Sequence, residues 1–369
     1  MRMEKDQLDT PCLIVDLVIL EQNLKTMQDA VSASGKQLRP HAKTHKCSVI
    51  ADKQIAMGAI GICASKVSEA EALIDAGIDG ILITGPVVTP TKMARLVELL
   101  ERSPSLMTVV DHPNNVSLLN DALRVRGLRM DVLLDIDVGL HRTGVPADCA
   151  SELADLVLDC DHLCLKGIQA YAGQVQHIPD YEARLDASRA SLQDAIRVFR
   201  ALKATAPACT ILSASGTGTY DIDLAIPELT ELQVGSYVLM DAEYLAIGSK
   251  EDVDCFSAFP PALRLLTSVV SVNQRGFVTV DAGLKALYRH GGIPRVISPK
   301  YESLQYDWFG DEYGRLSAKE GGLLPELGEV LELVVSHCDP TVNQFDCYFV
   351  VRNDEVVDTW PIDLRGKSQ

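Results

Sequence analysis

The sequence predicts an α/β protein, a (β/α)8 barrel with a second, mainly β domain. Three observations lead there. Between about residues 20 and 250, strand-like runs alternate with helical ones, and the strand-like runs number eight. No dinucleotide glycine fingerprint follows an early strand, which favours the barrel over a doubly wound open sheet, the structural alternative. After residue 250 the helical spacing gives way to Val-rich alternation of apolar and polar residues. A chain of 369 residues also exceeds what one core usually serves.

Taken in order, TPCLIVDL near the N-terminus reads as a strand that joins the β domain, within a segment 1–19. LEQNLKTMQDAVSASG (20–35) has helical apolar spacing and stops at Gly35. QLRPHAK then begins the barrel, followed by GAIGICAS (58–65), GILITG (80–85), LMTVVD (106–111), RMDVLLDID (129–137), LCLKGIQAYAG (163–173), CTILSASG (209–216) and ELQVGSYVLMD (231–241). KVSEAEALIDAG, TKMARLVELLERS, PADCASELADLVLDC and the long run 180–204 supply helices between them. The barrel is expected over 20–250 and the β domain over 251–369, where Asn353-Asp354 marks a hairpin turn.

Composition narrows the function classes. With 34 basic and 51 acidic residues the formal net charge is −17, which argues against nucleic acid or an anionic membrane as partner. The charged start MRMEKDQLDTPC has no signal-peptide core, and no run of about 18 apolar residues occurs, so a soluble, cytoplasmic protein is expected. Ten cysteines scattered without a CxxC pair read as free thiols in a reducing compartment.

Against this acidic background LRPHAKTHK stands out. Read as an extended strand, it puts Arg39, His41, Lys43 and His45 on one face and leaves Lys46 off the pattern; a solvated basic loop is the plain alternative. Barrel active sites gather at the C-terminal strand ends. There the sequence places His41 and Lys43 after the first strand, Arg142 after the fifth, and Tyr171, Gln174 and His177 after the sixth. SASGTGTY, with Gly216, Thr217 and Gly218, follows the seventh strand, and Gly235, Ser236 and Tyr237 follow the eighth. Small residues on a strand-to-loop turn can cradle a phosphate. A buried lysine facing the same cavity then suggests a Schiff base with pyridoxal phosphate, because desolvation frees the amine's lone pair. In the β domain, SHCDPTVN offers His337 and Asp339 on one strand face and Cys338 on the other, a donor pair suited to Mn, Mg or Zn; a polar turn is the alternative.

TPCLIVDL, LRPHAKTHK, GICASKVSEAEAL, GIQAYAGQVQH, SASGTGTY, ELQVGSYVLMDAEY, DAGLK, DEYG and SHCDPTVN, in order over nearly the whole chain, resemble the D-threonine aldolase and D-serine dehydratase family. That family is similar to alanine racemase, and the resemblance implies a pyridoxal phosphate barrel with a β domain, working as a homodimer on a small D-amino acid. It implies that Lys43 carries the cofactor, that Arg142 meets its phenolic oxygen, and that Gly216, Thr217, Gly218, Gly235 and Ser236 hold its phosphate. Gln233 resembles the position facing the pyridine nitrogen. His337 and Asp339 look like ligands of a divalent metal, Mn or Mg with Zn as the alternative, and His177 like the histidine near the substrate's β-hydroxyl. His-x-Asp rather than His-x-Cys points to aldolase.

The expected reaction is metal-assisted cleavage of a D-threonine-like β-hydroxy-α-amino acid to glycine and an aldehyde. A D-serine or 3-hydroxy-D-aspartate dehydratase is the nearest rival, and a racemase using Lys43 and Tyr313 another; a noncatalytic pyridoxal phosphate carrier would need neither the β domain nor the His-x-Asp pair. Tyr313 stands where the family pattern has histidine, and Ala172 where some aldolases carry a bulkier polar residue. His112, His141, His162 and His290 read as loop or surface residues.

Overall fold

In the computed structural model, which describes residues 3–301, 303–318 and 322–369, the eight strand-like runs form one parallel sheet. Gln37–Leu38, Cys63–Ala64, Leu82–Ile83, Met107–Val110, Met130–Asp135, Leu163–Ala170, Ile211–Ala214 and Glu231–Leu232 are its strands. From the second onward each pairs with the next in sequence, and the eighth pairs with the first. A parallel bridge between His41 and Cys63 closes the ring, with Cys63 N–H donating to Pro40 O at 2.8 Å and Ala42 N–H to Cys63 O at 2.9 Å. The result is the (β/α)8 barrel.

Its interior is layered. Arg39 Nε donates to Glu231 Oε1 at 3.0 Å, a nearly sealed ion pair two residues before His41. Cys63, Leu82, Met107, Val109 and Leu133 form a buried apolar cluster. Toward the C-terminal strand ends the interior turns polar with Asp135, Gln169, Ser213 and Gln233, all buried. The outer helices start and stop where their residues dictate. Pro113–Arg126 opens on His112, whose Nδ1 accepts Asn114 N–H at 3.1 Å, and closes on Gly127 at φ 64°. Tyr181–Thr205 is capped by the Asp180 carboxylate, which accepts Ala183 N–H at 2.8 Å.

This barrel unit comprises Met27–Lys43, Ile50–Gly235 and Gly366–Gln369; the second unit comprises Met1–Thr26, Thr44–Val49 and Ser236–Arg365. Of the N-terminal segment 1–19, Met1 and Arg2 lie outside the described residues. Residues 236–250, which the sequence reading put with the barrel, fall in the second unit. Pairing of the eighth strand ends at Leu232, and the chain beyond is tied to the β strands: Ala242 N–H donates to Val335 O and Ala262 N–H to Leu239 O, both at 2.9 Å.

In the second unit Leu263–Ser271, Phe277–Val280, Gly314–Ser317, Gln305–Trp308, Arg295–Val296 and Val330–Val334 form a closed antiparallel barrel, the last strand pairing back onto the first. Cys12–Asp16 extends it, antiparallel to Leu263–Ser271 and parallel to Cys347–Arg352. The hairpin from Cys347–Arg352 to Glu355–Pro361 turns at Asn353 and Asp354, whose φ of 52° and 64° are those of a type I′ turn.

Candidate active site

The first barrel strand stops pairing at His41, and residues 42–45 turn rather than extend. Lys43 therefore leaves the strand, and its Nζ lies 5.7 Å from the centre of the Tyr171 ring. Arg142 Cζ lies 5.9 Å from the same ring, so Lys43, Arg142 and Tyr171 gather at one place. His41 is buried beneath them. Its Nδ1 accepts Lys43 N–H at 3.3 Å, which leaves Nε2 to donate to Thr84 Oγ1 at 3.1 Å, while the Thr84 hydroxyl donates to Ala64 O at 3.2 Å. The expected alternation fails at His45. That residue is wholly buried in the second unit, where its Nδ1 accepts Cys47 N–H at 3.2 Å and its carbonyl accepts the Tyr348 hydroxyl at 2.6 Å.

Arg142 owes its place to the loop around it. Asp137 Oδ1 accepts N–H from Gly139 and His141, each at 3.0 Å, and Asp137 Oδ2 lies 2.7 Å from His141 Nδ1. Thr143 then donates to Asp135 Oδ2 at 2.8 Å. Gln169 Nε2 donates to Asp135 Oδ1 at 2.9 Å and to Thr84 O at 3.0 Å. Both acceptors fix that amide's orientation, so Gln169 Oε1 accepts from Gln233 Nε2 at 3.0 Å, and Gln233 Nε2 also donates to Ser213 Oγ at 2.9 Å. Burial pushes the Asp135 carboxyl up to about 6; hydrogen bonds from Gln169 and Thr143 pull it back in part, Asp111 adds to the rise and Arg142 opposes it.

The loop after the seventh strand is the glycine-rich turn the sequence singled out. Ser215 adopts φ 78°, a left-handed conformation unusual for a side chain. A Cβ on Gly218 would stand only 2.0 Å from the backbone oxygen of Gln176, so that position requires glycine, whereas one on Gly216 would stand 2.5 Å from Gln176 Oε1 and displace that side chain. Gly216, Thr217, Gly218, Gly235 and Ser236 are all buried. Tyr237 is wholly enclosed, its ring edge-on to Phe259 at 5.7 Å. His177 sits half-buried on the neighbouring loop. An amine, a cation and a tight glycine loop at the strand ends are a donor set that pyridoxal phosphate would fit.

In the second unit, the strand that the sequence reading carried through His337 ends at Val334. His337 instead caps a short helix, Cys338–Val342. The helix, not strand alternation, turns Cys338 inward: its Sγ donates to Met240 O at 3.3 Å and its N–H to Asp241 Oδ2 at 2.9 Å. His337 Nδ1 lies 3.3 Å from Asp241 Oδ2 and 3.2 Å from Glu243 Oε2, while Nε2 lies 4.0 Å from Asp339 Oδ2. Burial disfavours the imidazolium, but the hydrogen-bonding carboxylates of Asp241 and Glu243 and the charge of Asp339 outweigh it and push His337 up to about 10. The arrangement fits a divalent cation by the chemistry of its donors. With Asp241 and Glu243 facing Nδ1, an ion would bind at Nε2 by displacing the proton that the imidazolium carries there. A separation of 4.0 Å from Asp339 is within what two donors at about 2.1 Å from one ion can span. Among the described residues no group of three such side chains is arranged about one point, so water or substrate would complete the shell.

Sequence reasoning missed Gln169, Gln176, Asp135, Asp241 and Glu243. Only the last two left a signal, as paired carboxylates at the end of an apolar run in VLMDAE.

The alanine racemase N-terminal domain family matches residues 15–243, and a serine dehydratase domain matches 262–351. The D-threonine aldolase of Arthrobacter sp. is 39% identical over 98% of this chain and 94% of its own. The 3-hydroxy-D-aspartate aldolase of Paracoccus denitrificans is 37% identical over 99% of this chain and 94% of its own. The crystal structure of the D-threonine aldolase from Filomicrobium marinum superposes with a TM-score of 0.92 at 37% identity, covering 99% of this chain and 97% of that one. More distantly, the D-threo-3-hydroxyaspartate dehydratase of Delftia sp. is 28% identical over 96% of this chain and 97% of its own.

Proposed function

We propose that this chain, which belongs to the D-threonine aldolase and D-serine dehydratase family of alanine racemase-like proteins, is a pyridoxal phosphate and divalent metal dependent aldolase. Its substrates would be D-threonine-like D-β-hydroxy-α-amino acids, cleaved to glycine and an aldehyde. The chain is a carbon–carbon lyase. The observation that carries the finer reading is the His337 and Asp339 pair, with the carboxylates of Asp241 and Glu243 facing His337 Nδ1.

Pyridoxal phosphate, when bound, supplies a ring that accepts the electrons of the breaking Cα–Cβ bond. A divalent ion supplies Lewis acidity toward the substrate's hydroxyl. The chain's own residues do the rest. Lys43 would hold the cofactor through its amine, and His41 accepts the Lys43 backbone N–H and so fixes where that side chain starts. Arg142 keeps a positive charge beside Tyr171 for the phenolic oxygen. Gln233 donates its amide hydrogens to Gln169 and Ser213, so its carbonyl oxygen is the side-chain atom left to accept a bond from a ligand. An acceptor there favours a ring nitrogen that bears a proton. His177 takes the β-hydroxyl proton as general base.

A second reading, dehydration to ammonia and a 2-oxo acid, has support in the serine dehydratase match over 262–351. One assay separates them: incubation with a panel of D-β-hydroxy amino acids and measurement of glycine, aldehyde and ammonia. Glycine and aldehyde in equal amounts are expected; ammonia with a 2-oxo acid in their place would overturn the aldolase reading. No helix among the described residues is long and apolar enough to cross a membrane, and the described cysteines are all free, in keeping with a cytoplasmic enzyme. A homodimer is the expected assembly, read by light scattering.

A further inference from the structure

Two loops at the C-terminal end of the barrel are fastened together by two buried side chains that the reaction above leaves without a role. Gln176, 1% exposed, donates from Nε2 to Thr219 Oγ1 at 3.0 Å and to Ala172 O at 3.1 Å, and its Oε1 accepts Gly218 N–H at 3.0 Å. Arg184 is wholly buried. Its Nε donates to Gly218 O at 2.8 Å, and its Nη1 to Ile178 O at 2.6 Å and Pro179 O at 3.3 Å. Each side chain therefore grips both the loop 172–179 and the loop 215–219. His177 lies between the two points of attachment, Gln176 and Ile178.

The arrangement is specific. A guanidinium taken fully out of water is costly unless its N–H groups are satisfied, and three of these bonds go to carbonyls of the two loops. The far side of the glycine loop is anchored as well: Thr219 Oγ1 donates to Asp223 Oδ2 at 2.5 Å and Ser188 Oγ to Asp223 Oδ1 at 2.6 Å. Movement of 172–179 away from the glycine loop would break the bonds of Gln176 to Gly218 N–H and Thr219 Oγ1, and those of Arg184 to Ile178 O and Pro179 O. A ligand can order a distant group only through a difference in its interaction with two states of the protein, and this clamp supplies that difference.

We propose that Gln176 and Arg184 are positioning residues that make the glycine loop and the His177 loop one unit, so that a phosphate group seated in the first sets where His177 stands. The inference rests on reading Gly216–Gly218 as the phosphate cradle and His177 as the base. The phosphate ester of the cofactor and free inorganic phosphate share the chemistry; pyridoxal, which has no phosphate, should not act.

Amide hydrogen exchange of the cofactor-free full chain tests this without a turnover measurement. Pyridoxal phosphate, and inorganic phosphate at high concentration, should slow exchange in 215–219 and in 173–178 together, by about tenfold or more, whereas pyridoxal should change 173–178 by less than about twofold. In Gln176→Ala, phosphate should still protect 215–219 while protection of 173–178 is lost, and Arg184→Lys should show the same uncoupling. If either variant fails to fold, the wild-type comparison of phosphate with pyridoxal decides alone. Protection of 215–219 without 173–178 in the wild type, or undiminished coupling in Gln176→Ala, overturns the clamp and leaves the cradle standing. Protection of neither loop overturns the clamp and the cradle reading together. An absence of aldehyde release with the exchange pattern intact would instead tell against the aldolase reading alone.

Discussion

Asp135→Asn should stabilise the protein, and the gain should grow with pH. The carboxylate ends the fifth barrel strand at 4% exposure, with one oxygen accepting from Gln169 and the other from Thr143. Burial drives its pKa from 3.8 to about 6. Each tenfold change in a proton equilibrium is worth about 1.4 kcal/mol, so the displacement amounts to about 3 kcal/mol. The sign follows from linkage: between 3.8 and about 6 the folded chain holds a proton that the unfolded chain has lost, so this group's contribution is greatest below 3.8 and is lost as pH rises through about 6. Asparagine keeps the shape and can still accept from Gln169 while donating to the Thr143 hydroxyl, which rotates to accept. Urea unfolding of both proteins between pH 4 and 8 should show the variant gaining on wild type by up to about 3 kcal/mol across the window, with equal m-values. A difference that stays flat with pH would refute the reasoning. Asp135→Leu, which removes both acceptors and frees the loop bearing Arg142, should weaken pyridoxal phosphate binding where Asp135→Asn does not.

Lys43→Ala should abolish the borohydride-reducible adduct with pyridoxal phosphate, while Lys46→Ala, in the second unit at φ 49°, should keep it; the reverse result, read by mass spectrometry, would move the assignment. Asp339→Ala should lose bound Mn by equilibrium dialysis and lower cleavage roughly 10³-fold, several kcal/mol of lost Lewis acidity, while retaining the cofactor spectrum. Cys338→Ser should be mild, because Sγ is sealed against Met240 O at 3.3 Å; loss of Mn in Cys338→Ser with none in Asp339→Ala would reverse the ligand set. D-threonine and D-allothreonine should both yield acetaldehyde and L-threonine none, since a fixed orientation of amine and carboxylate offers the hydroxyl to His177 from one enantiomer only; turnover of L-threonine at a comparable rate, with no racemisation, would contradict that geometry.

The barrel was legible because its strands are buried on both faces and read as short apolar runs between amphipathic helices. Strand length was not. The run 80–85 contains only Leu82–Ile83 as paired strand, and 231–241 only Glu231–Leu232, since apolarity reports burial rather than ladder hydrogen bonds. In the second unit the alternation of Leu263–Ser271 was visible, but its pairing with three other strands was not, because partners as distant as Cys12–Asp16 and Val330–Val334 leave no local trace. The same confusion of burial with extension misplaced His45. A strand through THK would have aimed it beside Lys43, whereas the turn at 42–45 sends it into the second unit.

The residues around His337 show how more could have been read. VLMD looks like the end of a strand, and in an apolar run of that kind a terminal aspartate is ordinarily taken as the point where the chain meets water. Asp241 is instead wholly buried. A carboxylate at that depth must be satisfied: its oxygens accept Tyr244 N–H at 3.0 Å and Cys338 N–H at 2.9 Å, and the His337 imidazole stands beside it with Nδ1 at 3.3 Å. Two of those three partners lie in SHCD, almost a hundred residues away. The depth of Asp241 and the place of His337 are thus linked: the carboxylate holds the helix N-terminus through Cys338 N–H and, with Glu243, faces Nδ1 of the imidazole, which leaves Nε2 on the side of Asp339. Sequence spacing could propose His337 and Asp339 as a pair, but only this third group, remote in the chain, decides which nitrogen the pair presents.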